Sequence, residues 1–354
     1  MASPHMNHDT LHYKLIQAQK SFCSLRVANK THSYQNNYKE LTQINTRSEQ
    51  GSIIFTARRK EDNAAVILKI MSFGERSRAV VDADLQEAFI MHQLQASSRF
   101  QKLHKYIAEL STYFVTDRDA VVLEMPHYTE TLDDLWTRNG KTLSVIHIRP
   151  IMHQLLHAIL LCHSLNVIHG DIKMANIGLQ LLPKDQRNAR PDAFPYMVKL
   201  FDFGRARIAA YSDASYTCAD ANPLGCKPPE VLLQLPFKQS VDVWAIGILL
   251  MLLHADETKK LYNTDGSTNR QLQLERIHVF SGPFDYDFDT DAARKLQIFS
   301  PRQPVVDVAE YFPHVHDSAC SLLRKMLIAN SEHRISARLA LLDEFFIGMK
   351  NDIY

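Results

Sequence analysis

The sequence predicts an α+β protein of two lobes, a small β-rich lobe followed by a larger helical one. Three observations lead there. β-Branched runs and polar turns cluster between Tyr38 and Leu123, and long helical periodicities dominate beyond Pro126. The chain's 354 residues, 45% of them apolar, suffice for two moderate cores. The expected divisions are residues 1–35 (a tag remnant and N-terminal extension), 36–125 (the first lobe) and 126–350 (the second).

Taken in order, Met1–Met6 reads as a cloning remnant, and Leu11, Leu15 and Ile16 predict a short helix before a loop. "SIIFTARR" and "AAVILKIM" flank the polar "KEDN" and read as a hairpin. In "VVDADLQEAFIMHQLQ", Val81, Leu85, Ala88, Phe89 and His92 recur at helical spacing. "YFVT" and "AVVLEM" predict a second strand pair around "DRD". Helices are then expected in "LSVIHIRPIMHQLLHAILLCHSL", "SVDVWAIGILLMLLH" and "DSACSLLRKMLIAN".

Composition narrows the function classes. Forty Lys and Arg against 39 Asp and Glu leave a formal charge of +1, which argues against a nucleic-acid coat. The longest apolar run, Val243–Leu253, is eleven residues, too short to span a bilayer, so no membrane partner is expected. No charged-then-apolar leader opens the chain. Five scattered Cys (Cys23, Cys162, Cys218, Cys226, Cys320) lack CxxC spacing, which points to a reducing setting, cytoplasmic or nuclear. The 17 His show no HExxH or paired metal spacing.

The chemistry concentrates in two segments. "VIHGDIKMANIGL" holds Asp171, Lys173 and Asn176 between apolar anchors, and "VKLFDFGRAR" places Asp202-Phe203-Gly204 directly after an apolar strand. Acids and an amide of this kind suit Mg²⁺, a hard cation that prefers oxygen ligands, and a lysine suits phosphate. Phosphoryl transfer asks for this: metal, phosphates and attacking hydroxyl held in line, with developing charge neutralised. Read singly, Asp171 and Asn176 would be a loop cap and an Asx turn, and Glu87 an ordinary helix-surface acid. A Lys69 inside "AVILKIM" is harder to dismiss, because burying an ammonium without purpose is costly.

These segments resemble the eukaryotic-type protein kinases from about Tyr38 to Phe346. The family's HRDxKxxN stands here as His169-Gly170-Asp171-Ile172-Lys173-Met174-Ala175-Asn176. The resemblance implies a bilobal fold with ATP and Mg²⁺ between the lobes. It implies that Asp171 accepts the substrate hydroxyl proton, that Lys173 contacts the transferring phosphate, and that Asn176 and Asp202 hold the metal. By the same resemblance Lys69 grips the nucleotide phosphates, Glu87 pairs with Lys69, and Gly51, Glu124 and Met125 border the nucleotide. His169 is implied as a packing residue. "PPEVLL" with Glu230, "DVWAIG" with Asp242, and Arg334, the implied partner of Glu230, complete the series. The implied partners are a protein substrate and a regulatory protein. The position of Lys173 suggests Ser/Thr rather than Tyr specificity. The later segments are similar to the cyclin-dependent branch, and the "HGDIK" form to the vaccinia-related kinases.

Five departures qualify that likeness. Gly170 replaces the Arg that binds an activation-segment phosphate, so control by such a phosphate should be weaker. "RSEQGSIIF" offers one glycine, Gly51, where the family has G-x-G-x-x-G. Pro126 stands where the family donates a backbone N–H to adenine, leaving one hinge bond to the Glu124 carbonyl. The stretch from Asn176 to Asp202 is longer than the family norm by roughly a dozen residues, and residues 181–197 are expected to form a surface extension. "NPLGCKPPE" lacks the Thr usual before the closing motif, and Ser212, Ser215, Tyr216 and Thr217 read as a flexible polar loop. Two rival readings follow: a pseudokinase scaffold, suggested by the glycine-poor loop and Pro126, and a small-molecule kinase, suggested by the missing Arg.

Overall fold

A computed structural model of the chain describes residues 30–31, 37–44, 52–71, 78–116, 120–189, 194–209, 227–233, 235–254, 270–281 and 305–349. The expected first helix near Leu11, Gly51 and the polar loop around Ser212–Thr217 lie outside the described residues.

The first lobe is a sheet with one long helix. Among the described residues its strands are β1 (Lys30–Thr31), β2 (Tyr38–Gln43), β3 (Ser52–Arg59), β4 (Ala65–Met71), β5 (Thr112–Thr116) and β6 (Val121–Pro126). They run in the order β1-β5-β6-β4-β3-β2, antiparallel except for β1 on β5. The "KEDN" turn closes β3 onto β4 as expected. Asn63 takes a left-handed φ of 60°, which Asn tolerates, and the Asp62 carboxylate accepts the Ala64 N–H at 3.1 Å.

The Arg78–Ala96 helix carries Glu87. Leu85 and Ala88 pack on the first-lobe sheet, while Phe89, Ile90, Met91 and Leu94 join the larger core of the second lobe. His92, expected on the apolar stripe, is exposed. The helix is buried on two sides, so a single-stripe reading assigned the wrong residue to its core face.

The second lobe surrounds two apolar helices, Val145–Ser164 and Ser240–His254. Val145–Ser164 is long and apolar enough to cross a bilayer by length and composition, yet it is mostly buried inside the lobe. Residues Val241 to His254 are buried without exception, so the apolar run near Val243 is core.

The insert after Asn176 is shorter as a surface feature than expected. β7 (Ile177–Leu181) pairs antiparallel with β8 (Tyr196–Leu200), and Leu181 faces Tyr196 in register. A helix, Lys184–Ala189, sits at the hairpin end. Tyr196 and Met197 therefore belong to the ladder, and buried Phe194 packs against Tyr196 and His147.

In the second lobe, Arg334 and Glu230 form the expected pair, Nη1–Oε1 2.6 Å and Nη2–Oε2 3.0 Å, with both side chains almost fully buried. The guanidinium also donates to the carbonyls of Ser240, Ile328 and Ala329 and lies 4.9 Å from the Trp244 ring centroid. Each donor is matched, so the pair is tolerable in low dielectric. Arg334→Met leaves the Glu230 carboxylate buried and alone, with an expected loss of about 3–5 kcal/mol in urea unfolding. A loss below about 1 kcal/mol, the scale of an exposed pair, would contradict the burial argument.

Candidate active site

Between the lobes lies a cavity of about 420 Å³. Ile54, Ile67 and Lys69 line it from the sheet, Met125 and Pro126 from the connecting strand, and Gly178, Phe201 and Asp202 from the second lobe.

Lys69 is the charged centre. Only 4% exposed, it lies 2.8–2.9 Å from both carboxylate oxygens of Glu87 and 2.6 Å from Asp202 Oδ1. Burial alone would lower the lysine pKa, but the charges of Glu87 and Asp202 overcome it and the net direction is upward. Asp202 shows the reverse balance. Burial raises its carboxyl, the ammonium of Lys69 lowers it more, and it stays below the ordinary range. The Glu87 helix is therefore docked inward, and Gln86 adds a hydrogen bond to the Ala206 carbonyl at 2.9 Å.

Asp202 holds a left-handed backbone, φ 64° and ψ 70°, rare for a residue with a side chain and a mark of functional sites. Phe203, next along, is buried against His169 edge-to-face at 4.8 Å. His169 Nε2 is 3.1 Å from the Phe201 carbonyl, so this histidine supports the loop.

The loop itself is tightly wired. Asp171 Oδ2 accepts Lys173 Nζ at 2.8 Å and Asn176 Nδ2 at 3.0 Å, and Asn176 also donates to the Asp171 carbonyl at 2.8 Å. Asp171 Oδ1 is buried with no hydrogen-bond partner among the described residues. A buried carboxylate oxygen left open calls for an explanation, and a donor brought by a substrate supplies one. The amide oxygen of Asn176 and the second carboxylate oxygen of Asp202 are hard donors suited to Mg²⁺, which usually takes one or two protein oxygens plus phosphate.

Asp242 was not foreseen as part of this machinery. Buried at the start of the Ser240–His254 helix, it accepts the His169 and Gly170 N–H groups, each at 2.9 Å, and lies 2.9 Å from His163 Nε2. Gly170 turns with φ +73°, and a Cβ there would come 3.3 Å from the Arg205 carbonyl oxygen.

The connecting strand departs from expectation. Met125 borders the cavity, but Glu124 does not. Its carboxylate faces a separate cavity, accepting the Tyr38 hydroxyl and, at 2.6 Å, Arg59 Nη2. Its carbonyl, expected to meet the base, accepts the Ser111 N–H at 2.9 Å, which occupies one of its two lone pairs. Alternation along β6 is the physical reason: the Glu124 side chain is turned to the Tyr38–Arg59 side. Gly51, the remaining expected contact, is outside the described residues.

Asp242 also gives the site a pH signature. Burial raises its carboxyl, while His163, His169 and the Gly170 amide lower it further, leaving it below the ordinary carboxylate range. Stability from such a group is present above its unfolded pKa, about 3.9, and is lost as pH falls through the lower folded value. The gap in thermal midpoint between the native chain and Asp242→Asn should therefore narrow from neutral pH down to about pH 3. A gap independent of pH would contradict the charge argument.

Comparison with known proteins agrees with this geometry. Residues 49–346 match the protein kinase domain family. The chain is 27% identical over 326 residues to a cyclin-dependent kinase C-1 of Arabidopsis thaliana, covering 87% of this chain and 59% of that protein. It is 29% identical over 213 residues to a mitogen-activated protein kinase 1 of Oryza sativa subsp. japonica, covering 60% and 49%. It is 27% identical over 318 residues to an extracellular signal-regulated kinase 2 of Dictyostelium discoideum, covering 84% and 77%. The chain thus spans about half to three-fifths of the length of the first two relatives. With a β-sheet lobe, a helical lobe and a family match over most of its length, the chain belongs to the protein kinase domain family.

Proposed function

We propose that the chain is a Mg²⁺- and ATP-dependent protein serine/threonine kinase. One observation carries this reading: Lys69, Glu87 and Asp202 converge from three separate elements beside a loop whose Asp171 keeps a buried carboxylate oxygen open. The substrate hydroxyl gives its proton to Asp171 as its oxygen attacks the γ-phosphorus, and the bond to the ADP oxygen breaks. Lys173, 2.8 Å from Asp171, offers a cation to the phosphoryl group in transit. Asn176 and Asp202 would hold Mg²⁺, which when bound neutralises charge on the phosphates. Lys69 positions the phosphates from the sheet side, and its bond to Glu87 fixes the ammonium. The partners on this reading are proteins bearing Ser or Thr hydroxyls, and a regulatory protein.

Gly170 supports a further element of the proposal. With no side chain at this position, the loop has no cation there to pair with an activation-segment phosphate, so activity should depend less on that phosphate. The pseudokinase reading keeps one observation in its favour, the scarcity of backbone donors on the connecting strand around Pro126.

Transfer of labelled γ-phosphate to a generic basic protein distinguishes the two readings. Asp171→Asn is expected to lower the rate by about 10²–10⁴-fold and Asp202→Asn to abolish it above background. Incorporation by the native chain no greater than by Asp202→Asn would favour the scaffold.

A further inference from the structure

The connecting strand offers a nucleobase few hydrogen-bond donors. Pro126 has no N–H, and the His127 N–H donates to the Ala65 carbonyl at 3.2 Å. Ring and branched surface stands in their place. The Tyr128 ring lies against Gly178, where an added Cβ would stand 2.8 Å from Tyr128 Cδ2 and 3.1 Å from Cγ. Gly178 thus leaves a gap in the second-lobe side of the cleft, and the tyrosine fills it. The ring stacks on Phe201, with centroids 6.4 Å apart and planes 22° from parallel. Its hydroxyl accepts the Glu109 N–H at 3.3 Å, which fixes the ring's orientation. Ile54 and Ile67 line the same cavity from the sheet.

We infer that Tyr128, seated over Gly178, is the floor of the base subsite, and that the cleft holds a purine by its faces rather than by its edge, so that ATP and GTP bind with near-equal affinity. This rests on the nucleotide-binding reading above. The two purines differ at the edge: adenine presents the N1 lone pair beside a 6-amino group, guanine an N1–H beside a 6-oxo group. Pro126 lines the cavity, and a donor on that wall would bond the first and oppose the second. Pro126 removes that discriminator. A stacking platform does not replace it, because every base has a similar π-face.

The test is displacement of a fluorescent ADP analogue from the full chain by Mg·ATP and by Mg·GTP. The two dissociation constants are expected within about threefold of each other. Tyr128→Ala should weaken both by about tenfold, whereas Tyr128→Phe, which keeps the ring and the packing, should change neither by more than about threefold. Pro126→Ala restores the N–H and should shift the ATP/GTP ratio toward ATP by about tenfold. A native chain preferring ATP by tenfold or more, or Tyr128→Ala binding both as before, overturns the inference while leaving nucleotide binding intact. Failure of the analogue and of both triphosphates to bind overturns the inference together with the nucleotide reading.

Discussion

A lysine ammonium held out of water is the constraint around which this molecule is arranged. Lys69 sits within an apolar strand, and an uncompensated charge there would cost several kcal/mol even after relaxation. Its two counter-charges come from elsewhere: Glu87 from the Arg78–Ala96 helix, Asp202 from the second lobe. The ion cluster can therefore be complete only when helix, sheet and second lobe are all in place. That requirement draws Asp202 toward the cleft and holds the Glu87 helix inward. It also leaves one side of the ammonium's neighbourhood bordered by the cavity in which a triphosphate would sit.

The same logic recurs twice more. Asp242 is buried because two loop amides and His163 satisfy it, and it thereby fastens the segment carrying Asp171 to the most apolar helix of the second lobe. Glu230 is buried because Arg334 grips it with both nitrogens, tying the Pro229–Leu232 turn to the C-terminal part of the lobe. Each joins segments distant in sequence, and removing either partner strands a charge. Rigidity of the catalytic loop is thus supplied by buried polar contacts laid over a hydrophobic core. The cleft walls, by contrast, are apolar and aromatic, so shape and stacking govern what enters.

Much of this was legible in the sequence for a physical reason. Polar residues interrupting apolar runs are expensive, so Lys69 in "AVILKIM" and Asp202 after "VKLF" stand out before any fold is known. Their order along the chain, with Asp171 and Asn176, resembles that of the protein kinases, and the resemblance implied one cleft. What stayed hidden depended on direction rather than identity. The Glu124 carboxylate, which strand alternation turns toward Tyr38 and Arg59, could not be placed from its position in "VVLEMP". His92 matched a helical stripe, but a helix buried on two sides has no single stripe. Tyr128 lies in "PHYTET", where no periodicity marks an aromatic as a cleft wall. Gly178 did carry a signal: a glycine inside a strand often marks close approach by a neighbouring group, and the neighbour here is that tyrosine. The ends of the 181–197 insert were misjudged because its prolines and charges masked the alternation of β8.

The convergence of both lobes on one metal–triphosphate is tested most directly by crystallography of the chain with a non-hydrolysable ATP analogue and Mn²⁺ in place of Mg²⁺. An anomalous peak within coordination distance of Asn176 Oδ1 and an Asp202 carboxylate oxygen, with Lys69 Nζ bonded to a phosphate oxygen, is the expected result. A peak remote from both side chains, or Lys69 with no contact to the nucleotide, would contradict it.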